Sequence, residues 1–582
     1  MGESQPQPPF PREPLRWLAL RFGRREEQIL LGLSILIGAL TGAAVVALIL
    51  LTERLGMRLY PVGSPLWRRV LTPVAGSLAM GYVLVRYFPD ARGSGVGQTK
   101  VALFARDGVI TLRTVFGKFF CTAVTLGSGI PLGPEGPSVL VGAGISSVLA
   151  RRLRLRPENV KALIPVGAAA AIAAAFNTPL AAVVYSLEEI VGDLNAPVLG
   201  SVVLASATSW LVLRLLLGNN PLFVVPQYQL VHPVEFAIYA VLGVIGGLIS
   251  VALLKLLIEI RSRFLRLPIR TQWFQPVVGG IVVGLIGLWL PQVLGVGYGY
   301  VGDALNGRMA LELMVLLVVL KFISITASYA SGNAGGLFAP SLFLGAMVGG
   351  TVGSIVHHLW PAHTSVPGAY ALVGMGALFA GIMRAPMTSV LMIFETTHDY
   401  AVIVPLMIAN LVSFWISSTM QPETIYAALS RQEGIHLPTA DTLAHVGQRR
   451  VAQVMRGATD VLSPSMTVRE ALAHASQSQL NGWPVTDERG VVGVLSRESL
   501  ELAMKRSEGD KPLSELFTGL DFPHVHTDHP LHLALERMGA AKLDFLPVVS
   551  RANIRLLLGV VYLSDILDSF GVAPHELHGG EF

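Results

Sequence analysis

From Phe322 to Met383 the chain carries no Asp, Glu, Lys or Arg. A run this long and apolar belongs in a bilayer, and lipid narrows the possible folds severely. Every backbone N–H and C=O at membrane depth must find a partner inside the protein. Spans are therefore helical, and irregular backbone survives only where it lines a cavity or is covered. Yet this run is broken by Gly and Pro at "SGNAGGLFAPSLFLGAMVGG" (331–350). A second broken stretch, "GSGIPLGPEGPSVLVGAG" (127–144), holds a lone acid, Glu135.

The remaining sequence agrees with a polytopic membrane protein. Residues 29–51 are uncharged and long enough to span a bilayer. Only 14% of residues are charged, against roughly a quarter in soluble proteins. The single cysteine, Cys121, excludes an intramolecular disulfide. The Arg-rich residues 1–27 lack a small-residue cleavage site, so no signal peptide is expected. They read as a cytoplasmic N-terminal segment, with "RRLRLRPENVK" (151–161) and "RSRFLRLPIR" (261–270) as cytoplasmic loops. A net charge of +5 gives no clustered basic face, so nucleic acid is not an expected partner. Charged residues return near 430, which divides the chain into a membrane domain (28–430) and a soluble C-terminal region (431–582). Both termini are then expected in the cytoplasm.

The broken stretches are related. At a shift of 203, Gly129, Gly133, Pro137, Ser138, Gly142 and Ala143 fall on Gly332, Gly336, Pro340, Ser341, Gly345 and Ala346. At a shift of 207, "VGAAAAIAAAFNTPLAAVVYSLEEI" (166–190) overlies "VGMGALFAGIMRAPMTSVLMIFETT" (373–397), placing Glu188 on Glu395. Two blocks in the same order mark two homologous halves, about 28–217 and 233–430. Paired Gly/Pro-interrupted segments in repeated halves point to a substrate site at the repeat interface. A helix starting inside the membrane presents unpaired N–H groups and partial positive charge, which suits an anion. Neither loop contains Lys or Arg, so backbone dipoles would hold a small anion loosely enough to pass.

These residues resemble the CLC family of chloride channels and chloride/proton antiporters. "GPEGP" (133–137) resembles its G-K/R-E-G-P, "GGLFAP" (335–340) its G-x-F-x-P, and "GSGVGQ" (93–98) its G-S-G-I-P-E. "AAFNTPLAAVVYSLEE" (174–189) resembles its long inner-helix signature. The literal "GSGIP" at 127–131 abuts the glutamate loop, whereas the family's filter serine lies roughly forty residues earlier, so Ser94 and not Ser128 takes that place. Gly97 and Gln98 stand where Pro and Glu are usual, and Pro134 stands where Arg or Lys is usual.

The resemblance implies a polytopic α-helical membrane protein with two inverted-repeat halves and discontinuous helices. It also implies a central anion held by the hydroxyls of Ser94 and Tyr426 and the backbone N–H groups of Leu337 and Phe338. On residues alone, Tyr426 in "ETIYAAL" reads as an interfacial anchor. Glu135 reads alone as a helix N-terminal acid, although an ionisable group inside a membrane is a functional hypothesis by default. The family gives its matching glutamate the role of gate and proton carrier. Glu188 and Glu189 read alone as a helix-end acid pair. Glu188 has a repeat partner, which suggests a structural task. Glu189 has Thr396 opposite it, and in family antiporters that position is the internal proton acceptor.

Behind the membrane domain, residues 468–500 repeat as 531–567 at a shift of 63 for Val468, Ala471, Leu472 and Pro484. Helix, "PV" strand, turn, "GV" strand and helix resemble the CBS unit, as a cytoplasmic α/β tandem (about 448–510 and 511–572). Such pairs often bind adenine nucleotides, and Asp565 occupies the ribose-binding place, while the first copy has Ser499 and Tyr562 replaces a Thr or Ser. A purely structural pair is the alternative. The expectation is a homodimeric chloride/proton antiporter of a bacterial inner membrane, carrying chloride and protons and requiring no cofactor. A passive voltage- or pH-gated chloride channel is the alternative within the fold. A CBS-bearing divalent-cation transporter would need pore acids that 322–383 does not supply. An enzyme is disfavoured, since no metal-ligand cluster or nucleophile–base pair emerges.

Overall fold

The computed structural model describes residues 14–569, as backbone alone over 14–27, except 62, 195–197, 219–221, 224, 227, 229, 436, 438–448, 459, 479, 481 and 517–521. The first 13 residues of the expected cytoplasmic segment, and the chain beyond 569, lie outside the described residues. The chain divides into two compact units between Leu437 and Pro438.

The described residues of the first unit form helices joined by loops. Its first half comprises α1 (Pro14–Leu59), α2 (Leu66–Tyr87), α3 (Val96–Ala105), α4 (Leu112–Gly127), α5 (Glu135–Arg152), α6 (Pro157–Phe176), α7 (Pro179–Tyr185) and α8 (Leu199–Leu217). A π-helical turn, Ser186–Val191, continues α7. The second half comprises α9 (Glu235–Leu265), α10 (Pro276–Trp289), α11 (Tyr298–Leu305), α12 (Leu311–Ala330), α13 (Phe338–Leu359), α14 (Pro367–Met383), α15 (Pro386–Thr397), α16 (Ile403–Met420) and α17 (Ile425–Gln432). Among the described residues eight helices are long and apolar enough to cross a membrane.

The repeat read from the sequence recurs as geometry. Gly129 and Gly332 adopt φ of +99° and +98°, a region open to glycine at no steric cost. Each sits in the loop that breaks the chain before α5 or α13. Asn177 and Arg384 end α6 and α14 in the left-handed conformation, at φ +60° and +63°. Pro179 and Pro386 then open α7 and α15 at the first helical position, where a missing N–H does no harm. Helix pairs α5–α6 and α13–α14 approach through matched glycines. A Cβ on Gly142 would lie 2.2 Å from the Gly167 carbonyl oxygen, and one on Gly345 would lie 2.4 Å from that of Gly374. Small residues of this kind let membrane helices pack closely where no hydrophobic force drives them together.

The second unit has two cores. In the first copy, α18 (Val468–Gln477), β1 (Gly482–Asp487), β2 (Gly490–Ser496) and α19 (Arg497–Lys505) surround Val468, Trp483, Val485 and Leu500. In the second, α20 (Leu531–Ala541), β3 (Phe545–Val549), β4 (Leu557–Tyr562) and α21 (Leu563–Ser569) surround Leu531, Leu546, Val548 and Val561. Each strand pair is antiparallel. A third segment joins each pair by a parallel bridge, Leu462 to Val485 and Val525 to Val548, again related by the shift of 63. The copies are stitched together: Arg456 of the first bridges Val560 of the second.

Candidate functional site

Three loops from distant parts of the sequence converge at the centre of the first unit. Gly133 and Gly336, equivalent positions in the two halves, exchange both backbone hydrogen bonds, N–H to O at 2.9 and 2.7 Å. The local pseudo-twofold axis therefore passes between these two peptides. A Cβ on Gly136 would come within 2.7 Å of the Ser94 carbonyl oxygen and 3.3 Å of the Gly336 Cα. Gly95, at φ +105°, has the Gly136 carbonyl oxygen 2.1 Å from its would-be Cβ. Only glycine fits this crossing.

The loop before α3 is closed by its own side chains. The Gly95 N–H donates to Gln98 Oε1 at 2.6 Å, and Gln98 Nε2 donates to the Arg92 carbonyl. From beneath, fully buried Lys118 donates to the carbonyls of Ala91 (3.1 Å) and Gly93. The second half repeats the device: buried Lys321 donates to the carbonyls of Val293 (2.9 Å) and Gly295 (2.8 Å). "GSGVG" (93–97) thus has a structural twin in "GVGYG" (295–299), with α3 and α11 starting at Val96 and Tyr298.

Ser94 and Tyr426 lie on the wall of one cavity of about 330 Å³, with Arg92, Gln98, Arg261 and Ser430. Tyr426 is fully buried, and its hydroxyl points at Met383 Sδ, 3.4 Å away, a weak acceptor that leaves the donor available. Ser128 is elsewhere: it ends α4 and donates to the Thr125 carbonyl at 2.7 Å.

Leu337 and Phe338 open α13 and are not on that cavity wall. The buried Phe338 ring packs among Phe176, Tyr185 and Phe379 at centroid distances of 6.0, 5.1 and 5.3 Å, which fixes the backbone at the helix start. The Tyr185 hydroxyl is buried without a protein partner.

Glu135 is the first residue of α5 and is fully buried. Its side chain reaches into the other half, where one carboxylate oxygen accepts from Ala339 N–H at 3.4 Å, at the N-terminus of α13. The other accepts from the Tyr298 hydroxyl. Sequence reasoning missed Tyr298, and the signal that could have found it is the Gly-x-Gly-x-Gly spacing shared by 93–97 and 295–299.

The two neighbouring acids diverge. Glu188 accepts from the N–H of Met387 (3.2 Å) and Thr388 (2.9 Å) and from the Thr388 hydroxyl (2.7 Å), capping α15. Glu395 accepts from the N–H of Leu180 (2.9 Å) and Ala181 (2.7 Å), capping α7. These reciprocal caps cross the repeat interface and satisfy half-helix termini. Glu189, nearly buried, instead meets Lys100 Nζ at 2.9 Å. Lys100 belongs to α3, about one turn beyond the Ser94 loop, so the acid is tied to the same element.

In the second unit, Asp565 is buried and paired with Arg456 through one carboxylate oxygen, while the other lacks a protein partner. Among the described residues no group of three or more His, Cys, Asp or Glu side chains is arranged to hold a metal.

The family model described as voltage gated chloride channel matches residues 76–418, and the CBS domain model matches 451–505 and 514–571. A putative chloride channel protein ClcB-like of Ralstonia nicotianae is 33% identical, over 65% of this chain and 90% of its own length. An H(+)/Cl(−) exchange transporter ClcA of Vibrio campbellii is also 33% identical, over 63% and 81%. The solved structure of a slow cyanobacterial Cl−/H+ antiporter superposes with a TM-score of 0.63 at 26% identity, covering 69% of this chain and 97% of that one.

Proposed function

Because this chain belongs to the CLC family, whose voltage gated chloride channel model covers most of its membrane unit, we propose that it exchanges chloride for protons across a membrane. The observation that carries the reading is Glu135. It is a fully buried carboxylate placed against the N–H of Ala339, at the N-terminus of a helix of the opposite half. A helix N-terminus inside a membrane favours an anion, and a tethered carboxylate competes with chloride for that place. Protonated, it loses its charge and its hold, so one residue opens the anion path and carries a proton. Ser94, Tyr426 and the N–H groups of Leu337 and Phe338 would hold the central chloride, and Glu189 would load protons from the inside. The chain acts as a homodimer in a bacterial inner membrane with both termini cytoplasmic. The CBS pair takes an adenine nucleotide at Asp565.

A passive chloride channel is the second reading, favoured by the Lys100–Glu189 ion pair, which ties the internal acid to a lysine. Purified protein in vesicles decides between them. An outward chloride gradient should drive protons inward, uphill. Glu135→Gln and Glu189→Gln should each keep chloride flux and lose that pumping. Chloride flux without proton movement in the unmodified protein selects the channel.

A further inference from the structure

We propose that Tyr298 is a latch that holds the Glu135 carboxylate on the anion seat, and that this second-half loop is built for the purpose. The inference deepens the reading of Glu135 as gate and rests on it. Three observations carry it. The Tyr298 hydroxyl donates directly to Glu135, while the Ala339 N–H on the other oxygen is long, at 3.4 Å. From the opposite half the carboxylate therefore takes one side-chain hydroxyl and one long backbone N–H. Next, the loop delivering Tyr298 is rigid. Gly297 caps α11 at φ +87°, with its would-be Cβ 2.7 Å from the Phe343 ring of α13. Lys321 clasps the carbonyls of Val293 and Gly295 and sits 4.4 Å over the same Phe343 ring. The Tyr298 ring packs edge-on against Phe223 at 5.7 Å. Finally, the loop is the repeat twin of the one that presents Ser94, held by the twin lysine, Lys118. One loop sets Ser94 on the cavity wall, and its twin sets Tyr298, two positions further along, against the gate.

A donor aimed at a carboxylate stabilises its charged, seated form, and hydrogen bonds to ionised groups are the strong ones. Tyr298 is therefore a positioning residue that sets how well the tethered carboxylate competes with chloride. The groups facing this carboxylate are Tyr298 of α11 and the α13 N-terminus at Ala339.

The test is equilibrium chloride titration of the purified full chain at constant pH, on the wild type, Tyr298→Phe, Glu135→Ala and the double variant. Tyr298→Phe removes one oxygen and keeps the ring against Phe223. Weakening the seated carboxylate should tighten apparent chloride binding about tenfold, the factor equivalent to about 1.4 kcal/mol. Glu135→Ala should tighten it at least as much, and adding Tyr298→Phe to it should change nothing. If Glu135→Ala tightens binding and Tyr298→Phe does not, the latch is refuted and the gate survives. If Glu135→Ala itself leaves binding unchanged, the gate reading falls. An effect of Tyr298→Phe that persists without Glu135 also overturns the latch. Were Tyr298→Phe not to fold, Phe223→Leu, which loosens the ring's seat, should give a smaller tightening that again vanishes without Glu135.

Discussion

Replacing Glu188 by Ala exposes a structural role that its neighbour Glu189 does not share. The Glu188 carboxylate takes two backbone N–H groups and one hydroxyl at the start of α15. Losing a helix N-terminal cap costs about 1 kcal/mol. The Thr388 hydroxyl and N–H, buried and stripped of their acceptor, add about 1–2 kcal/mol. The sum is about 2–3 kcal/mol for Glu188→Ala. For Glu395→Ala, which uncaps two N–H groups of α7 and no hydroxyl, it is about 2 kcal/mol by the same reasoning. Glu188→Gln keeps an amide acceptor and should lose about half as much. Thermal unfolding in detergent, followed by tryptophan fluorescence, should rank the proteins as wild type, Glu188→Gln, Glu395→Ala, then Glu188→Ala. Uphill proton pumping per folded molecule should remain. Unchanged stability together with lost pumping in Glu188→Ala would place this acid on the proton path and refute the bracing argument.

Ser94→Ala should weaken chloride binding several-fold in the same titration, whereas Ser128→Ala, whose hydroxyl bonds within α4, should leave it unchanged; the reverse order would move the filter to 127–131. In the second CBS copy His529 packs on His526 at 4.8 Å. Burial first, then His526, Arg537 and Arg551, hold its proton affinity below the ordinary histidine value, with Asp528 opposing. The neutral form is favoured in the folded state. Its stabilisation is therefore in place above the ordinary value of about 6.5 and is lost as pH falls through the lower folded value. The C-terminal unfolding transition of the full chain should drop in temperature as pH falls below about 6.5, and His529→Gln should flatten that slope; an unaltered slope would exclude His529. Millimolar ATP or AMP should raise the same transition, by the stabilisation of about 2.7 kcal/mol expected at a hundredfold excess over Kd. Asp565→Ala should abolish the rise. No rise with any adenine nucleotide would leave Asp565 to its ion pair with Arg456 and the CBS pair to a structural role.

The sequence by itself determined the features that are local or periodic. Charge-free runs specify membrane spans because lipid excludes charge. Gly and Pro at fixed places specify where helices break, because φ +99° at Gly129 and the missing N–H of Pro179 are properties of single residues. The shifts of 203 and 207 identified equivalent positions, and Glu188 with its partner Glu395 already suggested a shared structural task. Tertiary structure decided which equivalent positions touch. Gly133 meets Gly336, Glu188 caps the helix that bears its own twin, and Glu135 crosses to Ala339 and Tyr298. Glu189 finds Lys100 across 89 residues. No spacing rule reaches that far, because such contacts depend on the angle and depth at which helices cross. Those are set by the close approach of glycines on α5, α6, α13 and α14, and by buried lysines that find acceptors only in backbone carbonyls of another segment.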